Sequence, residues 1–254
     1  MSDTLRFPDG FLFGASISAY QTEGGNTNSD WWWWEHIEST PCREPSGDAC
    51  DFYHRYREDI AMLAGFGLNC FRFGIEWARI EPAEGEFSRA ELAHYRRMLD
   101  ACHEHGVAPI VTFHHFTIPK WLHDQGGIAS ERFPALFERY CDRAAQALGD
   151  RIAYACTLNE PQGLGSSGWL LGINPPGHTD DRDGAQRAVD NLLGTKTARR
   201  PARRPSSSSR GSTTGSSSSP GRTTSSASRP TPGSATDRRA RAARVTTGAT
   251  RCAS

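Results

Sequence analysis

IAYACTLNEPQ, residues Ile152 to Gln162, decides how this chain folds. Ile152 to Leu158 make a short apolar run of strand length. Directly after it stand an amide, Asn159, and a carboxylic acid, Glu160, with Pro161 next. In parallel α/β folds the chemistry collects at the C-terminal ends of the strands. A Glu placed there suits acid–base work, which calls for companion groups at the ends of neighbouring strands.

Upstream, the same arrangement recurs. Phe11 to Ser16, FLFGAS, follows a Pro-Asp-Gly turn and reads as a first strand. Asn69 to Ile75, NCFRFGI, reads as a second and Val107 to Phe113, VAPIVTF, as a third. Between them, Tyr53, Tyr56, Ile60 and Leu63 recur at helical spacing, with Gly65 and Gly67 as stops. Ser88 and Glu91 form a capping-box pattern. Leu92, Tyr95, Leu99 and Cys102 then give that helix an inner face, and Gly106 ends it. Ser130 is the expected cap of a helix presenting Phe133, Leu136, Tyr140, Ala144 and Leu148, and Asp183 to Leu193 begin another. The βαβαβαβα order predicts parallel strands joined by crossover helices. Polar residues mark all four strand ends: Gln21 and Glu23, Arg72 and Glu76, His114 and His115, Asn159 and Glu160.

Composition divides the chain at about Leu193. Residues 194–254 carry thirteen basic residues and one acid, Asp237, whereas residues 1–193 carry sixteen basic and twenty-eight acidic residues. Every Trp, Tyr and Phe lies at or before Trp169, and Val245 is the only large aliphatic residue of the last 61. A segment of Ser, Thr, Arg, Ala, Gly and Pro buries too little apolar surface to offset the entropy of ordering. The expectation is a folded part, 1–193, and a basic, low-complexity, disordered tail, 194–254.

The N-terminus lacks the basic and apolar regions of a signal peptide, and no apolar run approaches the roughly 20 residues of a membrane span. A cytoplasmic protein with reduced thiols is expected, although Cys42 and Cys50 are spaced to close a loop. There is no HExxH, paired CxxC or EF-hand loop, so neither metal nor cofactor is expected. His103 and His105 flank a helix end and read as surface or capping residues. The run Trp31–Trp34 reads either as a platform for sugar rings or, for at least two of its rings, as packing in a long first loop.

Four segments together resemble glycoside hydrolase family 1, the β-glucosidase family of (β/α)₈ TIM barrels. They are FPDGFLFGASISAYQTEGG at Phe7–Gly25, FRFGIEWARIEP at Phe71–Pro82, VTFHHFTIPKWL at Val111–Leu122, and TLNEPQ at Thr157–Gln162. The resemblance implies a retaining hydrolase acting on terminal β-glycosidic O-linkages of a β-glycoside. Glu160 would be the acid/base, Asn159 would hold the sugar 2-hydroxyl, and Arg72 would orient and charge-balance the nucleophilic carboxylate. Gln21 and His115 would bind the glycone, and Trp121 would line the pocket wall. Phe116 stands where the family commonly has Trp, and Thr117 where Asp is usual; Phe keeps the apolar ring and loses the indole donor.

A retaining glycosidase uses two carboxylates about 5–5.5 Å apart. The resemblance implies that the second is a Glu in an E-N-G motif near a seventh strand, yet this sequence has no Glu after Glu160. The expected fold is therefore an incomplete barrel of roughly the first four βα units. Its open edges would favour self-association, and the chain as written would be inactive. For the tail, GC-rich codons suggest out-of-frame translation. The competing reading is a genuine basic tail that binds nucleic acid or anionic surfaces, the alternative to a non-catalytic sugar-binding remnant.

Overall fold

The computed structural model of the chain describes residues 6–194. Apart from Gly194, the expected disordered tail lies outside the described residues. Four strands, β1 (Gly14–Ser16), β2 (Cys70–Gly74), β3 (Ala108–His114) and β4 (Tyr154–Leu158), form one sheet in the order β1-β2-β3-β4. All three pairings are parallel. Among the described residues, nine α-helices lie between and after the strands: α1 (Ala19–Thr22), α2 (Asp30–Glu35), α3 (Phe52–Gly65), α4 (Trp77–Ile80), α5 (Arg89–Glu104), α6 (Lys120–His123), α7 (Phe133–Leu148), α8 (Pro161–Gly165) and α9 (Arg182–Gly194). This is a partial α/β barrel.

The core lies between the sheet and the long helices α3, α5 and α7. Phe71 and Phe73 of β2 and Val111 of β3 are buried with Ile60, Tyr95, Met98, Leu99, Phe137 and Tyr140. Trp77 stacks on Tyr140 with ring centroids 4.8 Å apart, and Phe133 stacks on Phe137 at 5.7 Å. Along β2 only Arg72 escapes full burial. It points away from the helix-facing Phe71 and Phe73, as strand alternation requires.

Three sequence expectations are corrected in detail. The first strand begins at Gly14, not Phe11. The Asn69 side chain takes over the backbone before it, accepting from Phe13 N–H at 2.8 Å and donating to the Phe11 carbonyl at 2.8 Å. Phe7, Phe11 and Phe13 then cluster on the surface. The capping box at α5 is half formed. Ser88 Oγ accepts from Glu91 N–H at 3.2 Å, but the Glu91 carboxylate turns to the Tyr53 hydroxyl at 3.0 Å. Ser88 N–H goes to the Ile80 carbonyl instead, so a tertiary partner outcompetes the local one. Helix α7 starts at Phe133 with Pro134 in its first turn, and Ser130 Oγ serves Arg132 N–H before the helix.

Candidate active site at the strand ends

The site is built around Arg72. Its register partners are Ser16 on β1 and Ile110 on β3. From there the guanidinium reaches toward the strand ends. Nε donates to Thr112 Oγ1 at 2.8 Å, and Nη2 donates to Asn159 Oδ1 at 2.7 Å. Thr112 is fully buried on β3, and Asn159 directly follows β4, where its N–H donates to the His114 carbonyl at 3.0 Å. One cationic side chain thus ties the second, third and fourth strands together.

The two consecutive histidines divide. His114 is buried with its ring edge-on to Phe133 and Phe137 of α7. Neither ring nitrogen has a protein partner, and burial first, then the neighbouring His115, pushes its pKa down to about 3. His115 is only partly buried; burial first, then the Arg72 charge, lowers its pKa to about 4. Gly74 keeps the space beside it open. A Cβ there would sit 3.1 Å from the Ala19 nitrogen and 3.9 Å from His115 Cβ. The end of β2, the start of α1 and His115 therefore close on one another.

Glu160 is exposed at the mouth, in the left-handed region with φ 46°. Phe116, after His115, has φ 73°. Such conformations cost a non-glycine residue about 1–3 kcal/mol, and residues that hold them cluster at functional sites. The Glu160 carbonyl accepts from Leu164 N–H at 3.3 Å and starts α8. Gln21 lies in α1, exposed, with its Oε1 accepting from Ser18 Oγ at 2.5 Å. Trp121 lies in α6, edge-on to Trp77. Its indole N–H is committed to the Glu81 carbonyl at 2.9 Å.

Two acids near the strand ends belong to the fabric. Glu76 caps α4 through Ala78 N–H and accepts the Thr117 hydroxyl at 2.9 Å. Burial drives its pKa up. Glu23, almost wholly buried, pairs with Arg79 at 2.8 Å and accepts the Tyr95 hydroxyl at 2.9 Å. Thr117 therefore has a structural partner, a role that its own sequence neighbourhood gave no sign of. Of the tryptophan run, Trp34 is buried, while Trp31, Trp32 and Trp33 are partly exposed on α2. Among the described residues no group of three or more His, Cys, Asp or Glu is placed to hold a metal ion. No described helix is long and apolar enough to cross a membrane, and the six described cysteines are free thiols.

Parallel strands, crossover helices and polar groups tied together toward the strand ends define an α/β barrel fragment. Comparison with known proteins names the family. The model of Glycosyl hydrolase family 1 matches residues 3–206, running past the change in composition. The coniferin beta-glucosidase of Pinus contorta is 40% identical over 182 residues, covering 68% of this chain and 36% of that protein. Beta-glucosidase A of Thermotoga maritima is 36% identical over 195 residues, covering 74% and 44%. The crystal structure of the beta-glycosidase BGL167 superposes with a TM-score of 0.63 at 50% identity, covering 75% of this chain and 46% of that one. This chain belongs to glycosyl hydrolase family 1. It spans less than half the length of each of these relatives.

Proposed function

We propose that this chain carries the acid/base half of a retaining β-glucosidase-type site for terminal β-glycosidic O-linkages. Glu160 protonates the leaving oxygen and then takes a proton from water in the second half-reaction. Asn159 holds the sugar 2-hydroxyl, a contact that strengthens as oxocarbenium character develops. Gln21 and His115 bind glycone hydroxyls; a neutral imidazole both donates and accepts, which suits a hydroxyl. Trp121 contributes to the pocket wall. Arg72 positions Asn159 and offers positive charge to a second carboxylate. The observation that carries the proposal is the pair of Arg72 hydrogen bonds to Thr112 and Asn159, which link β2 and β3 to the residue that precedes Glu160.

With no Glu after Glu160, these 254 residues supply an acid without a nucleophile. They form no glycosyl-enzyme intermediate and turn over no substrate alone, and no cofactor enters the scheme. The test replaces residues 194–254 with the C-terminal half of a family relative carrying the E-N-G carboxylate. The chimera is expected to hydrolyse an aryl β-glucoside, to lose that activity in Glu160→Gln, and to recover it with azide in Glu160→Ala. A chimera indifferent to Glu160→Gln would overturn the assignment, as would turnover by the 254-residue chain alone.

The missing nucleophile favours a second reading, a sugar-binding remnant, which calorimetry would register as binding without hydrolysis. A basic tail acting on nucleic acid or anionic surfaces would give salt-sensitive DNA binding that vanishes on deletion of 194–254. Among the described residues β1 and β4 each pair on one side only. We extend the proposal to self-association through those edges, read by light scattering.

A further inference from the structure

A cleft of about 540 Å³ lies between α2, α6, the segment Gly126–Ser130 and the loop after α8. None of Gln21, Arg72, His115, Asn159 and Glu160 lines it. Its floor is buried and largely apolar, formed by Ile118, Ile128 and Trp169. His178 and Arg187 stand exposed at its rim. The volume falls within the roughly 300–1,000 Å³ of small-molecule sites, which combine apolar walls with a few placed polar groups.

Those polar groups are present. Asp30, buried on α2, lines the cleft, and its Oδ1 accepts from Trp31 N–H at 2.9 Å and Ile118 N–H at 3.0 Å. Asp181 receives Gly184 N–H on Oδ1 at 2.8 Å and faces His178 Nδ1 from Oδ2 at 3.3 Å. Trp33 stands beside His123 with ring centroids 4.7 Å apart, and the Lys120 ammonium 5.1 Å from its centroid steadies the indole. Two acids, Asp30 and Asp181, and one cation, Arg187, thus stand around an apolar floor. A phosphate would meet the Asp181 carboxylate, and an ammonium would meet Arg187. A neutral ring with several hydroxyls satisfies both: its C–H face lies on the apolar floor, and its hydroxyls donate and accept in turn.

We propose that this cleft is a second, non-catalytic binding site for a neutral pyranoside. This gives the partly exposed end of the tryptophan run a role that the strand-end site does not use, and it does not depend on the reading of that site. The test is saturation-transfer NMR on the full 254-residue chain with methyl β-D-glucopyranoside and cellobiose as probes. Transfer to the sugar protons is expected in the wild type. It should fall about fivefold or more in Trp33→Ala and in Arg187→Ala, and persist in Asn159→Ala. Two substitutions on different elements guard against misfolding of either one. No transfer in the wild type would overturn the proposal, as would transfer unchanged in both cleft variants. Transfer lost only in Asn159→Ala would also overturn it, and would leave the strand-end reading standing.

Discussion

The guanidinium of Arg72, midway along β2, donates a 2.7 Å hydrogen bond to the side chain of Asn159, the residue that follows β4. Its Nε holds Thr112 on the strand between them. Hydrogen bonds to charged groups contribute about 1.5–3 kcal/mol. Arg72→Met is expected to lower stability by about 2 kcal/mol and Asn159→Ala by about 1 kcal/mol, measured by urea unfolding. The double variant should fall short of the sum by roughly 1 kcal/mol, because the two changes remove one bond. Strict additivity would mean that the bond does not form in solution.

His114 makes the fold sensitive to acid. Its pKa is pushed down to about 3 in the core, so it stays neutral when folded and gains a proton when the chain unfolds. The unfolded state therefore binds more protons below the ordinary histidine value of about 6.5. The contribution is full above that value and is lost as pH falls toward 3, reaching about 2 kcal/mol by about pH 5. His94, lowered to about 4 mainly by burial, adds to the same trend. His114→Leu should flatten the fall in Tm between about pH 7 and pH 5. An unaltered slope would show that His114 is hydrated rather than sealed.

Asp30 works in the opposite direction. Burial raises its carboxyl to about 8, so it is protonated in the fold and ionised in the unfolded chain. Its contribution is full below the ordinary Asp value of about 3.9 and is lost as pH rises through about 8. Asp30→Asn keeps the acceptor for Trp31 and Ile118 and removes the ionisation. Asp30→Asn should therefore raise the Tm at about pH 8 relative to that at about pH 5, compared with the wild type. An unchanged or lowered difference, Tm at about pH 8 minus Tm at about pH 5, would contradict this.

Gly14 is required by the contact between the first two strands. A Cβ at Gly14 would overlap the carbonyl oxygen and the Sγ of Cys70 on β2. Gly14→Ala is expected to cost about 1–3 kcal/mol through overpacking. Gly65, at the end of α3, has open space where its Cβ would be. Gly65→Ala should be neutral or stabilise by about 0.5–1 kcal/mol through helix propensity. Equal effects from the two changes would contradict the close approach at β1.

Much of this architecture was legible because burial imposes periodicity. The apolar runs ending at Ser16, Ile75, Phe113 and Leu158 locate the four strands, and the inner face from Leu92 to Cys102 is buried as its spacing implies. The misreadings arose where a distant group intervened. Asn69 took the backbone of Phe11 and Phe13, and Tyr53 took the Glu91 carboxylate. Nothing local encodes either contact.

The candidate site divides in the same way. Sequence placed His115, Asn159 and Glu160 at strand ends, since a residue just after an apolar run sits there in a parallel sheet, and it placed Arg72 within the second strand and Gln21 in the segment after the first. It also determined, from residue identity alone, that no Glu follows Glu160. Only tertiary structure decided that His114 enters the core, that Thr117 binds Glu76, and that Arg72 grips Asn159. The physical reason is range. Strand and helix periodicity is written over a few neighbouring residues, whereas a hydrogen bond between residues 87 positions apart depends on how the sheet brings its strands together.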